Sequence, residues 1–296
     1  MLIEYIKAII FGIVEGVTEW LPVSSTGHLI LLEEFLPLNV APTLGREFAE
    51  EYFSMFEVVI QLGAILAVVV MFFGKLNPFA PSKSKAEKKS TWVLWGKVLV
   101  ASIPAALIGI VVDELIEAQT GKDIDGWIYN WGTVATTLIL YGVLFIVIER
   151  IYRDKESRVV DVNDITLGQA AAIGCFQVLS IIPGTSRSGS TILGARAIGI
   201  SRSAAAEFSF FMGIPAMAGA SLLKGYAFFD YVSEAGVTVP AGAWFVLLIA
   251  SVSAFLVSMV AIKFLVEFVK RHSFAPFGVY RIALGVLVIL YFAIVR

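Results

Sequence analysis

Charge is scarce in this chain. Of 296 residues only 16% are Asp, Glu, Lys or Arg, and the signs nearly cancel at 22 basic against 24 acidic. Soluble globular domains carry about 25% charged residues, so an ordinary soluble enzyme is excluded. Disorder is excluded too, because the apolar content is high and the net charge is only -2. No basic excess marks a nucleic-acid binder, and no nucleic-acid partner is expected. Cysteine is almost missing: Cys175 stands alone, which allows neither an intrachain disulfide nor a cysteine zinc cluster. Histidine is limited to His28 and His272. No secretory signal is expected at the start, where Glu4 precedes the apolar run and no small-residue cleavage site closes it.

What is there is hydrophobicity. Apolar residues make up 58% of the chain, and the mean hydropathy is +0.85. A helix that crosses a bilayer needs about 20 mostly apolar residues. Six stretches qualify: Phe53–Phe73, Val93–Val112, Trp127–Ile148, Ala204–Leu223, Ala243–Leu265 and Phe277–Val295. Two more, Ile3–Leu32 and Leu167–Ile200, are apolar at their flanks but polar and rich in Gly or Pro at their centres. Irregular backbone survives at membrane depth only where protein buries it or a wet cavity touches it. Each is therefore expected to be a re-entrant helical hairpin, the alternative being a kinked helix or an interfacial loop. The fold class expected is an all-α polytopic membrane protein, with six full spans and two re-entrant hairpins in one integral membrane domain over residues 1–296.

The loops set an orientation, since Lys and Arg gather on the cytoplasmic side. Lys75, Lys83, Lys85, Lys88 and Lys89 follow the first span, Arg150, Arg153, Lys155 and Arg158 the third, and Lys270 and Arg271 the fifth. The alternate loops are acidic, with Glu33, Glu34, Glu47, Glu50 and Glu51 before the first span. Asp113, Glu114, Glu117, Asp123 and Asp125 follow the second, and Asp230 and Glu234 the fourth. With each hairpin returning to its own side, both termini lie outside.

The chain also repeats. A shift of 162 sets Ala8, Gly12, Ser24, Gly27 and Leu31 on Ala170, Gly174, Ser186, Gly189 and Leu193, and Glu15 on Gln177. Shifts of 150 and 149 set Glu57 on Glu207 and Ala101-Ser102 on Ala250-Ser251. The expected halves, about 1–149 and 164–296, each hold one hairpin and three spans. Three is odd, so the halves are inverted, and inverted repeats place their sites where broken helices meet near the midplane.

The polar centres of the hairpins carry the chemistry. In the first, Glu15 and Glu19 are four residues apart and share a helix face. Such groups at membrane depth cost roughly 2.5–3.5 kcal/mol each on insertion scales. A divalent cation would offset that, and so would an arginine. Pro22 ends the helix, and Ser24, Ser25, Thr26, Gly27 and His28 follow: three hydroxyls, a glycine, then a histidine suited to general-base work by its ordinary pKa near 6.5. His272, after Lys270-Arg271, reads as a solvated loop residue. The second hairpin runs Pro183-Gly184-Thr185-Ser186-Arg187-Ser188-Gly189-Ser190-Thr191. A guanidinium among hydroxyls and glycines at the start of a helix suits a phosphate oxyanion. Ser190 stands where a P-loop needs lysine and no strand precedes it, so nucleotide binding is rejected.

Glu15-x-x-x-Glu19, Ser24-Ser25-Thr26-Gly27-His28 and Pro183-Gly-Thr-Ser-Arg-Ser-Gly resemble the undecaprenyl-diphosphate phosphatases of the BacA/UppP bacitracin-resistance family. So do Phe56-Glu57-Val-Val-Ile-Gln61-Leu-Gly63 and Ser201-Arg202 leading into Glu207. The resemblance runs over essentially the whole chain. It implies hydrolysis of undecaprenyl diphosphate to undecaprenyl phosphate and inorganic phosphate, recycling a lipid carrier of cell-wall synthesis at the outer face of the bacterial inner membrane. It implies a divalent cation, Mg²⁺ or Ca²⁺, on Glu15 and Glu19. Ser25, His28 and Glu19 are the expected catalytic residues, with either Ser25 or a water as nucleophile and His28 as its base. Ser24, Thr26, Ser186, Arg187, Ser188, Gly189 and Thr191 are expected to bind phosphate. The expected partners are a polyisoprenyl diphosphate and membrane lipid, and a homodimer is left open. The rival classes are an inverted-repeat anion or lipid-phosphate transporter and a membrane phosphatase of the phosphatidic-acid type.

Overall fold

A computed structural model describes residues 1–121, 125–153 and 155–295. In chain order the helices are α1 (Leu2–Thr18), α2 (Ser25–Phe35), α3 (Gly45–Val59), α4 (Gln61–Met71), α5 (Phe73–Leu76), α6 (Lys85–Thr120), α7 (Asp125–Ile128), α8 (Trp131–Ile151), α9 (Leu167–Gln177), α10 (Arg187–Ala197), α11 (Arg202–Glu234), α12 (Ala241–Arg271) and α13 (Ala275–Val295). Asp123 of the acidic loop lies outside the described residues.

Six of these segments are long and apolar enough to cross a membrane: Pro42–Met71, Lys85–Thr120, Trp131–Ile151, Arg202–Glu234, Ala241–Arg271 and Ala275–Ile294. Each overlaps one of the six spans read from hydropathy; Val93–Val112, Ala204–Leu223 and Ala243–Leu265 lie wholly inside, and the other three are offset by one to four residues at one end. The protein is therefore an all-α polytopic membrane protein. α2, α9 and α10 have 11 residues each, or about 16 Å of helix, little more than half of a ~30 Å hydrocarbon core. The pairs α1/α2 and α9/α10 each turn through a segment that contains a proline and ends in a serine, Ser24 or Ser186, and the two turns touch.

Without a hydrophobic drive between helices in lipid, close packing has to hold them together. α1 lies along α12, and α9 along α6. Small residues allow both approaches. A side chain at Gly12 would collide with the Ala250 carbonyl of α12, and one at Gly174 with the Ala101 carbonyl of α6. α8 and α13 pair closely, while α11 runs past α3, α4 and α10. Trp20, fully buried just after α1, meets Phe210 of α11 edge to face at 5.3 Å, which seats the first turn against the second half of the chain. The far end of α10 is pinned by Arg196, which pairs with the buried Glu149 of α8 beside Arg202 of α11.

The exposure of α6 sets it apart. Its most apolar window is only 6% buried, against 50% in α11, so α6 stands at the periphery. Pro104 interrupts α6 and Pro215 interrupts α11. A proline inside a helix removes one ladder bond and bends the axis. The two interrupted helices face each other across a cavity.

Candidate active site

α1 stops at Thr18, with Glu19 as its C-cap, one turn before the stop expected at Pro22. The chain then turns and enters α2 through Ser24, whose φ is 76°. The Ser24 hydroxyl caps α2 by accepting from the Gly27 N–H at 3.2 Å. The second pair is built alike. Ser186 has φ 73° and caps α10 by accepting from the Gly189 N–H at 3.1 Å. These are the only non-glycine residues with positive φ among the described residues. Such backbone costs on the order of 1–3 kcal/mol at each position and persists where its surroundings enforce it.

The turns bring three side chains together. Ser25 Oγ donates to Glu19 Oε2 at 2.5 Å, and Arg187 Nη2 donates to Glu19 Oε1 at 2.8 Å. Glu19 thus links a hydroxyl from one turn to a guanidinium from the other. Both members of the ion pair are nearly buried. Arg187 Nη1 is held by the Ser209 carbonyl of α11 at 2.7 Å, so the guanidinium is oriented from two sides. Ser188 Oγ donates to the Glu19 carbonyl at 3.1 Å and fastens the turns together.

Glu19, Ser24, Ser25, Thr26, Ser186 and Arg187 line a cavity of ≈ 500 Å³. Glu57, Gln61 and Gln177 complete its polar end. Ala105, Ala106 and Ile110 of α6 and Pro215, Ala216 and Leu223 of α11 form its apolar walls. Asp113, Tyr129 and Lys224 also line it.

Other expected site residues are placed differently. Ser188, Gly189 and Thr191 lie behind the cavity wall. The Thr191 hydroxyl is engaged with the Arg187 carbonyl and Ser209 Oγ. His28 is not brought to Ser25. Its Nδ1 lies 2.6 Å from the Ser24 carbonyl and its Nε2 2.7 Å from the Tyr280 hydroxyl, and the ring stacks on Tyr280. A carbonyl only accepts, so Nδ1 carries a proton, and a neutral ring would then accept from Tyr280 at Nε2. The basic nitrogen therefore faces α13, and the acceptor on Ser25 is Glu19. His272 is exposed at the end of α12, as expected.

The Glu15/Glu19 pair is also divided. Glu19 spends both oxygens on Ser25 and Arg187. Glu15 is fully buried, and neither of its oxygens has a hydrogen-bond partner. It feels the charges of Glu19, Glu57 and Arg187. Among the described residues no group of three or more His, Cys, Asp or Glu side chains is gathered closely enough to hold a metal ion. The orphaned Glu15 oxygens are hard donors that suit a divalent cation. Glu19 can join them only by leaving its present partners, and Glu57 stands on the cavity wall as a further buried carboxylate.

Sequence reasoning missed Arg281 and Tyr280 of α13. Arg281 is fully buried, with Nη1 donating to the Pro22 carbonyl at 3.0 Å and Nη2 to the carbonyls of Gly184 at 2.6 Å and Thr185 at 2.9 Å. The signal was available: Arg281 is the only charged residue in Ala275–Val295, and an ionisable residue inside a span marks a functional position by default.

A family model described as bacitracin resistance protein BacA matches residues 8–287. Similar curated proteins include an undecaprenyl-diphosphatase of Enterococcus faecalis, 50% identical over 285 residues covering 96% of each chain. One of Limosilactobacillus fermentum is 48% identical over 293 residues, 99% of each chain. One of Streptococcus suis is 50% identical over 291 residues, 98% of each.

Proposed function

The chain belongs to the BacA family of bacitracin resistance proteins, and on that premise we propose that it is an undecaprenyl-diphosphatase. It hydrolyses undecaprenyl diphosphate to undecaprenyl phosphate and inorganic phosphate. That reaction recycles the lipid carrier of cell-wall synthesis and gives bacitracin resistance. The protein is a multi-pass protein of the bacterial inner membrane.

The observation that carries the mechanism is the Ser25–Glu19–Arg187 chain at the polar end of the cavity. Ser25 Oγ attacks the terminal phosphorus while its proton passes to Glu19 Oε2. The bond from that phosphorus to the bridging oxygen breaks, and undecaprenyl phosphate leaves with the electron pair. Water then displaces the phosphate from Ser25. Glu19 returns its proton to Oγ, one water proton stays on the phosphate and the other goes to solvent. A diphosphate ester in flight carries several negative charges. Arg187 and the first N–H groups of α2 and α10, which helix geometry leaves without intrahelical acceptors, stabilise them. His28 moves no proton in this route; it fixes the start of α2 against α13.

Glu15 with Glu57 would hold a divalent cation, Mg²⁺ or Ca²⁺. When bound it would supply positive charge that offsets the charge of the diphosphate. The apolar walls from α6 and α11 suit the isoprenoid chain, which passes sideways into lipid. We read the repeated turn geometry, Ser24 beside Ser186, as two inverted halves with the turns re-entrant at mid-membrane. The acidic loops support a site that opens to the outer face.

Phosphate release from undecaprenyl diphosphate in detergent, with and without EDTA, tests the reading. A transporter would release none. Sidedness is tested in a Cys175→Ala background: a cysteine at Glu50 should label with an impermeant maleimide in spheroplasts, and one at Lys85 should not. The reverse pattern would move the site to the cytoplasm.

A further inference from the structure

Arg281 has no task in the route above, yet its burial in an apolar helix demands compensation. Its partners are the three carbonyls of Pro22, Gly184 and Thr185, and its guanidinium lies 5.5 Å from the ring centre of Tyr141 on α8. Pro22 stands two residues before Ser24. Gly184 and Thr185 stand directly before Ser186. One rigid fork from α13 therefore grips both serine-bearing turns at the same relative position. The peptide after Thr185 has its carbonyl toward Arg281. In a trans peptide C=O and N–H point in opposite directions, so the grip also orients the Ser186 N–H. Space for the guanidinium is reserved by Gly189, where a Cβ would lie 3.2 Å from Arg281 Nη1.

We propose that Arg281 is a positioning residue for phosphoryl transfer, its three carbonyl contacts fixing the distance between Ser25 on one turn and Arg187 on the other. The inference rests on the reading of the site given above. Ser25 and Arg187 belong to segments far apart in sequence, and among the described residues the side chain that joins them is Glu19, a carboxylate that the route asks to take up a proton. Groups that do not titrate have to hold the turns while Glu19 changes charge: the Ser188 hydroxyl on the Glu19 carbonyl and the fork of Arg281. An arginine is always protonated and its fork is planar. A lysine keeps the charge but presents one point donor group, so it cannot reproduce contacts to carbonyls from two turns at once.

The experiment compares wild type, Arg281→Lys and Arg281→Ala in detergent, with kcat and KM measured separately on undecaprenyl diphosphate. Folding is followed by size exclusion and thermal melting. Misplacing reacting groups by an ångström costs on the order of a hundredfold, so Arg281→Lys is expected to stay monodisperse and lose at least about thirtyfold in kcat with KM little changed. Guanidinium ion at sub-denaturing concentration should restore part of kcat to Arg281→Ala and none to Ser25→Ala. Wild-type kcat in folded Arg281→Ala would overturn the proposal. So would failure of both variants to fold, which would assign the residue to the fold alone. Absence of phosphate release by the wild type would instead sink the functional reading on which the proposal stands.

Discussion

Ser24 and Ser186 occupy the same point in two pairs of short helices, and the backbone treats them alike: left-handed φ, a hydroxyl capping the N–H three residues on, and a carbonyl just upstream held by Arg281. The side chains then diverge. After Ser24 comes Ser25, a hydroxyl; after Ser186 comes Arg187, a permanent cation. Before the first turn stands Glu15, and at the matching place before the second stands Gln177. Two similar scaffolds have been given opposite charge, and the reaction needs one of each. The nucleophile with its acceptor comes from one turn and the oxyanion ligand from the other, so neither pair is a site alone.

The sharpest way to break this division is Ser25→Ala. If Ser25 is the nucleophile, kcat should fall by at least about a thousandfold, since a water would have to take over the attack. Wild type quenched in acid during turnover of substrate labelled in the terminal phosphate should carry ³²P, and Ser25→Ala none. Turnover above about a tenth of wild type would hand the attack to water and leave Ser25 as a ligand. Arg187→Lys tests the other turn. It should stay folded and lose about a hundredfold in kcat/KM, equivalent to ~2.7 kcal/mol, because lysine cannot hold Glu19 and Ser209 together.

Glu15→Gln makes the first turn resemble the second. If Glu15 holds a cation, wild type should lose its turnover in EDTA, and Glu15→Gln should fall by more than about tenfold and not recover with excess Mg²⁺. Full wild-type activity in EDTA would remove the cation. His28→Ala and Tyr280→Phe probe a contact that the first turn has and the second lacks. Since the two side chains bond to each other, the double variant should be less impaired than the single effects summed, by about 0.5–3 kcal/mol. Additive losses would free His28 for a separate role. The smallest effect should come from Ser24→Gly and Ser186→Gly. Each relieves a positive φ costing on the order of 1–3 kcal/mol, against a few tenths for the lost cap and roughly 0.5–1 kcal/mol for the freer unfolded chain, so both melting points should rise a little and equally. A large shift in only one would show that the turns are not equivalent.

Hydropathy made the six spans legible, because a lipid-facing helix must be apolar over its whole length. The contacts within the site were less so. His28 follows Ser25 by three residues, which on a helix puts them near one face. Helical side chains, however, point back toward the N-terminus, and the imidazole drops onto the Ser24 carbonyl and α13. Glu19 lies six residues before Ser25 with a turn between, a separation from which no periodicity gives a distance. The Glu15–Glu19 spacing correctly put two carboxylates in one buried region. Arg187 is an expected partner for either carboxylate, but no spacing says that it takes Glu19 and leaves Glu15 without one. Arg281 belongs to no polar motif, and its solitary charge in α13 is the sequence signal of its place.

The packing of α1 on α12 has a consequence for how the protein is made. At ~5–20 residues per second, the roughly 220 residues that separate the end of α1 from the start of α12 take on the order of 10–45 s to synthesise. Throughout that interval the groove that Gly12 opens along α1 has no Ala250 to fill it, and the carboxyl group of Glu15 has no assembled second half around it. The first half must therefore wait in the translocation machinery or at the membrane surface, unable to complete its own interior. A ribosome that stalls before residue 241 would leave an orphan with a bare helix face. That face would be a ready mark for membrane proteases, and no partially active fragment would accumulate.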